Sequence, residues 1–409
     1  MNSNDRSITS LAALSHGLLH THELSIPIFI TVWLEQFSTT QAVLGSLAMI
    51  GYGLFGLGGV PAGIASDKFP PKRLLILDLC GIGLAFFLVA LAPNLALIAA
   101  AFGIWGIAAS IHHPAALTLI SRSVEARGRA FAYHGMSGNF GIALGPFATS
   151  LLLSFMNWRY VAALLALPPL VAAGIGTQLS VDDSPVETDN TDETDASRSL
   201  SIDTIGDFFR SSAALMATIY GLLFIVIMLE GLYYRGILTF LPDFFAGLPQ
   251  IPAFNFQGLS FETSRYLYSG MLMLGMLGQY LGGRITERYN PRRALTVVFC
   301  LLAVVSLLFV FVESYPFLIV VAISGLVGIV LFSAQPLYQA TIAEHTTEDT
   351  RGLAYGYTFF GIFGVGALGA GISGYILSNY SPEALFAFLA GLIILGAIIL
   401  SGIDWFVED

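Results

Sequence analysis

"GIASDKFPPKR" at residues 63–73 and "GRITERYNPRR" at residues 283–293 align at an offset of 220, which also superposes Cys80 on Cys300. Each is a short polar, basic break between long apolar runs. Further along, Gly103, Gly106 and Pro114 match Gly325, Gly328 and Pro336, and "RGRAFAY" from 127 matches "RGLAYGY" from 351. Ala143, Leu144 and Gly145 fall on Ala367, Leu368 and Gly369. Blocks in one order with a slowly drifting offset indicate two halves of common pattern.

What repeats is membrane-spanning. Of 409 residues, 56% are hydrophobic and 11% charged, and mean hydropathy is +0.77, which excludes a soluble globular protein of this size. A spanning helix takes roughly 20 apolar residues. The sequence divides into such runs at 11–37, 42–66, 73–93, 95–120, 130–154, 159–178, 213–245, 264–285, 293–312, 315–342, 352–378 and 384–403. Their length and continuity predict helices and not barrel strands. The expected fold is an all-α integral membrane protein with twelve transmembrane helices in two pseudo-symmetric six-helix bundles.

The bundles are expected at 1–178 and 209–409, with a linker at 179–208. Within it, "VDDSPVETDNTDETDAS" at 181–197 has seven acids and no base, too polar to order itself by burial. That segment accounts for much of the net charge of −10, so the charge implies no nucleic-acid partner. Of 17 Lys and Arg, 14 lie at the N-terminus, in alternate breaks or at Arg351. This asymmetry predicts a multi-pass plasma-membrane protein with both termini cytoplasmic. The first run lacks a cleavage site and is expected to remain as a helix. Cys80 and Cys300 read as small core residues.

Ionisable groups inside spans are expensive, and usually face a cavity or a partner. On the first helix, steps of four, three and four put His16, His20, Glu23 and Pro27 on one stripe, with His22 pointing elsewhere. Imidazoles beside a carboxylate make a proton-responsive face; the alternative is a hydrogen-bonded packing cluster. His112 and His113 are adjacent, about 100° apart, so one of them is expected to face inward. His134 shares a face with Gly138, Gly141 and Gly145, which reads as a close helix contact. In "LEGLYYRG", Glu230, Tyr234 and Arg235 lie deep in the seventh run, and Arg235 must meet Glu230, Glu23 or an anionic substrate. With Pro27 matched to Pro242, Arg235 is the repeat of His20. His16, His20 and Glu23 have a spacing that zinc can use, but no Cys or His-rich loop joins them, and no metal is expected. "HTHE" is not a metalloprotease motif, and no phosphate-cradling Gly-x-x-x-x-Gly-Lys-Ser/Thr occurs. Energy should come from an ion gradient, and neither an enzyme nor a cofactor is indicated.

Over nearly its whole length the chain resembles the major facilitator superfamily. The family's signature loop is matched by Gly63, Asp67, Lys68, Lys72 and Arg73, with Pro70 where a second Gly is usual. Its second copy keeps Gly283, Arg288, Arg292 and Arg293, with Glu287 for Asp and Asn290 for Gly. "SHGLLHTHELSIP", "SIHHPAALTLISR", "NFGIALGP" and "YYRGILTFLPDFF" further resemble the fosmidomycin-resistance branch of drug exporters. An acid common in that branch's first helix is replaced here by His20. The resemblance implies that helices one, four, seven and ten line a central path. Asp67 should pair with Arg73 in a cytoplasmic gate with Gly63, Lys72, Glu287 and Arg293. "GIALGP" at 141–146 resembles the helix-five motif of antiporters.

The expected function is therefore a secondary transporter, exporting a small anionic or amphiphilic compound against protons by alternating access. Proton coupling is assigned to His16, His20, Glu23, His112 and His113, and substrate binding to Glu230, Tyr234, Arg235 and Gln335. Expected partners are protons, a small molecule and the lipid bilayer, in a monomer. Import of an organic anion, or a sensor without flux, are the alternatives.

Overall fold

The apolar runs fold as helices because a chain in hydrocarbon must pair its N–H and C=O groups within each segment. The computed structural model of the protein describes residues 1–182 and 205–407. Its first half contains α1 (Ser3–Gln36), α2 (Gln41–Leu57) continued by α3 (Gly59–Lys68), α4 (Pro71–Leu91), α5 (Leu95–Ser110) continued by α6 (His112–Ser123), α7 (Arg127–Leu153) and α8 (Trp158–Gln178). The second half contains α9 (Ile205–Met216), α10 (Ile219–Ala246), α11 (Thr263–Thr286), α12 (Pro291–Phe309), α13 (Phe317–Glu344), α14 (Glu348–Phe359), α15 (Leu368–Asn379) and α16 (Pro382–Val407). One turn of π-helix, Phe360–Val365, joins α14 to α15, and a hairpin of β1 (Phe254–Phe256) and β2 (Leu259–Phe261) caps the connection between α10 and α11.

With the joined helices counted as one, and the short α9 apart, the described residues form twelve long helical units, six before the linker and six after. Ten of these units are long and apolar enough by composition alone to span a bilayer. The other two, α1 and α11, are more polar; α1 carries three histidines and two glutamates. The run expected at 213–245 is corrected. Thr218 caps α10 at Ile219, and 205–216 is a separate amphipathic helix that begins inside the stretch assigned to the linker. Residues 183–204, most of the expected linker, lie outside the described residues.

The helix breaks have local causes. Thr40, Asn94, Thr218 and Asn290 cap α2, α5, α10 and α12 by accepting a backbone N–H from the first turn. The discontinuity at Ile111 precedes Pro114, which has no N–H to return to Ser110. Pro27 likewise frees the carbonyl of Glu23, and the Tyr52 hydroxyl donates to it at 3.3 Å. Cys80 and Cys300 are exposed on α4 and α12, so they face outward and not into the core as expected.

The halves meet along two seams, α2 with α15 and α7 with α11. The face of the molecule opposite the chain ends is tied shut. Gln41 donates to Asp243 (3.3 Å), the Ala42 amide to Ser378 (2.8 Å) and Arg265 to Thr31 (3.0 Å). Gly45 allows this approach: a Cβ there would stand 2.5 Å from the Ala370 carbonyl oxygen.

Candidate functional site

Between the halves lies a central cavity of about 300 Å³. Its walls include His16, His20 and Glu23 from α1, His113 from α6, Asn139 from α7, Glu230 and Tyr234 from α10, Gln279 from α11, and Gln335, Tyr338 and Gln339 from α13. A second cavity of about 320 Å³ shares His113, Leu117, Phe359 and Phe363 with it and runs past Gly59 and Gly63 toward the face that carries the chain ends. The path from the centre thus leads to that face, while the opposite one is tied.

The α1 stripe forms the floor of a hydrogen-bonded chain. His16 Nδ1 donates to the carbonyl oxygen of His134 at 2.7 Å, and its ring stacks on that of His134 with centroids 3.9 Å apart. His16 Nε2 faces His20 Nε2 at 3.0 Å. His20 Nδ1 bonds one carboxylate oxygen of Glu23, and Arg235 from the other half bonds the second. The guanidinium lies over the Tyr52 ring, 3.9 Å from its centroid. Arg235 was expected to meet Glu230, Glu23 or an anion; the packing selects Glu23. The two basic groups related by the repeat, His20 and Arg235, do not confront each other directly, because the Glu23 carboxylate sits between them. Arg235 is buried behind that pair and is not among the residues that line the cavity.

Of the adjacent histidines, His113 lines the cavity and His112 turns away from it. His112 is fully buried, with Nδ1 2.8 Å from Ser15 Oγ and 3.2 Å from Asp78 Oδ2, and Nε2 3.2 Å from His134 Nε2. It meets the cavity chain through His134 and by stacking on the His16 ring, centroids 5.1 Å apart, so one member of the adjacent pair faces the cavity and the other backs it. The close packing of α7 on α1 that brings His134 here depends on glycine, since a Cβ at Gly138 would stand 2.3 Å from the His16 ring. Ring nitrogens of His16, His112 and His113 lie within 4.8 Å of one another. Zinc would hold them about 3.3 Å apart, and those of His16 and His112 already have partners in the chain.

His22 points away from the path. Its Nε2 lies 2.9 Å from the carbonyl of Leu165, whose helical donor is missing because residue 169 is proline, and its Nδ1 rests against Leu18 O. Gln335 accepts from Gln279 at 2.8 Å across the cavity wall. Asp67 pairs with Arg122 at 2.7 Å, and not with Arg73, because the last turns of α3 and α6 run side by side. Lys72 donates to the Leu179 carbonyl at the end of α8 (2.6 Å), Glu287 meets Arg284 on its own helix (3.7 Å), and the Arg293 amide is the capping donor of α12.

Sequence reasoning missed Asp78, Ser15, Tyr52, Asn139, Gln279, Tyr338 and Gln339. Asp78 carries a usable signal, a single acid in the apolar run "LLILDLCGIG". The amides have none, because an uncharged polar residue on a helix is unremarkable until its neighbours are known.

Two six-helix halves packed along two seams around a central, partly charged cavity define a membrane transporter. The chain belongs to the Major Facilitator Superfamily, whose family model matches residues 10–252 and 244–405. It resembles the fosmidomycin resistance protein of Escherichia coli, with 23% identity over 95% of this chain and 91% of that protein. The puromycin resistance protein pur8 of Streptomyces alboniger is 33% identical over 33% of this chain, a match spanning 27% of that protein. In fold it is similar to a bacterial homolog of the human lysosomal transporter Spinster, with a TM-score of 0.72 over 98% of this chain and 96% of that one at 15% identity.

Proposed function

We propose that this protein is a proton-coupled exporter of a small amphiphilic compound, placed in the plasma membrane as a monomer with both termini cytoplasmic. The bundles at 1–178 and 209–409 rock about the central cavity by alternating access, tied by the segment at 179–208. The observation that carries this reading is the position of Glu23. One of its oxygens holds His20 on its own helix and the other holds Arg235 on the opposite half. Protonation of the chain and contact between the halves therefore act on one carboxylate.

Proton counting supports a bound proton. With His16 Nδ1 donating to a carbonyl and His20 Nδ1 to an ionised Glu23, both facing Nε2 atoms are lone pairs. Every contact becomes a hydrogen bond only when the chain holds one proton beyond that count. A proton that moves on to Glu23 removes its charge and weakens its hold on Arg235, freeing the halves to separate; its departure restores the pair. His113 borders both cavities and is the entry point in this scheme, while His112 acts from behind through His134.

Export is favoured by the drug-resistance names of the relatives and by the helix-five motif ending at Pro146. An anionic substrate is less well served than an amphiphile, because Arg235 is already matched. Gly63, Asp67, Lys72, Arg73, Glu287 and Arg293 form the gate at the cytoplasmic face, and the pair of Asp67 with Arg122 belongs to the state in which that face is open.

The test is proton flux in proteoliposomes, followed with a trapped pH dye while candidate compounds are added. Glu23→Gln and His20→Ala should each uncouple proton movement from substrate and flatten its pH dependence. Full pH-dependent flux in both variants would reduce the cluster to structural packing. Substrate and protons moving in the same direction would make the protein an importer, and binding without counterflow would make it a sensor.

A further inference from the structure

Two carboxylates line the central cavity, and among the described residues only one of them is in an ion pair. Glu23 is matched by Arg235 and His20. Glu230 is 5% exposed, borders the cavity, and its Oε2 has no hydrogen-bond partner. Among the described residues, no Lys or Arg lines this cavity. A buried carboxylate left unmatched is expensive, and here the space beside it is open to a ligand.

The surroundings narrow that ligand. Tyr234, Tyr338, Phe332 and Phe363 present aromatic surface to the same cavity, and ring faces attract cations while burying apolar bodies. Gln335 and Gln279 add neutral donors and acceptors. Neither the aromatic faces nor the amides compensate the negative charge of Glu230.

We infer that the cavity is built for a small amphiphilic monocation whose charged nitrogen sits against Glu230 between the Tyr234 and Tyr338 rings. This rests on the exporter reading above and supplies its substrate class. A cation leaving as a proton enters exchanges like charges, so the negative charge of Glu230 is matched by the cation while it is bound and neutralised by the entering proton, passed on from the α1 chain, once it has left.

Two fixed-charge probes of similar shape test this without flux: benzyltrimethylammonium and phenylmethanesulfonate, titrated calorimetrically into the purified full chain. The ammonium should bind, Glu230→Gln should weaken it at least tenfold, and Glu230→Asp should recover part of the loss. The sulfonate should bind no better to the wild type than to Glu230→Gln. Tighter binding of the sulfonate, no binding of the ammonium by the wild type, or ammonium binding unchanged in Glu230→Gln would each overturn the assignment. A Glu230→Gln protein that fails to purify as a single species is replaced by the Glu230→Asp comparison, in which unchanged affinity and stoichiometry in both Asp and wild type, with sulfonate equal to ammonium, also overturns it. Ammonium binding with no proton exchange in vesicles would leave this site standing and defeat the exporter reading; proton-driven flux of another compound without ammonium binding would do the reverse.

Discussion

Removing Arg235 tests how much the buried Glu23–Arg235 ion pair adds to the contact between the two halves. The guanidinium is 2% exposed, bonds the Glu23 carboxylate and covers the Tyr52 ring. A charge-assisted hydrogen bond contributes about 1.5–3 kcal/mol, and a desolvated cation over an aromatic ring about 2 kcal/mol. Their sum agrees with the about 3–5 kcal/mol expected when one partner of a buried pair is deleted and the other stays charged. Arg235→Met should therefore destabilise by about that amount, and Glu23→Gln by a similar one, since each strands its partner. The double variant Glu23→Gln/Arg235→Met strands neither charge, so it should lie well short of the sum, with a coupling of about 2 kcal/mol or more. The assay is equilibrium unfolding in mixed micelles followed by helical circular dichroism. Additive single effects, or losses below about 1 kcal/mol for both, would refute the pair as a stabilising link between the halves.

His22→Ala should cost about 1–3 kcal/mol, because it strands the Leu165 carbonyl that Pro169 leaves without a donor; its flux should keep the wild-type pH dependence, and a flattened profile would place His22 in the proton path. Gly45→Val overpacks the α2–α15 seam at a cost of about 1–3 kcal/mol, a shift of about 5- to 150-fold toward an opened far face. Cross-linking between Ala42→Cys and Ser378→Cys, in a background lacking Cys80 and Cys300, should slow accordingly, and unchanged cross-linking would refute the seam's role. Asp67→Asn should leave stability within about 1 kcal/mol, because its pair with Arg122 is 69% and 46% exposed. The same change should cut flux, and wild-type flux would remove Asp67 from the gate.

The order of helices, the duplicated halves and the α1 stripe were legible in the sequence, since each is local. Hydrophobic run length fixes a span, and a period of 3.6 residues fixes which side chains share a face of one helix. Partner choice across helices was not legible. Glu230 and Arg235 are close in sequence, but five residues turn a helix by about 140°, so they point apart. Glu23, 212 positions away, is the one that α10 meets when it docks on α1. The same holds for His112 against His113, for Asp78 behind them, and for Asp67 with Arg122. Each pairing depends on how one helix is rotated against another, and that rotation is set by glycine contacts such as Gly138 on His16 and Gly45 on Ala370, which exist only once both helices are in place.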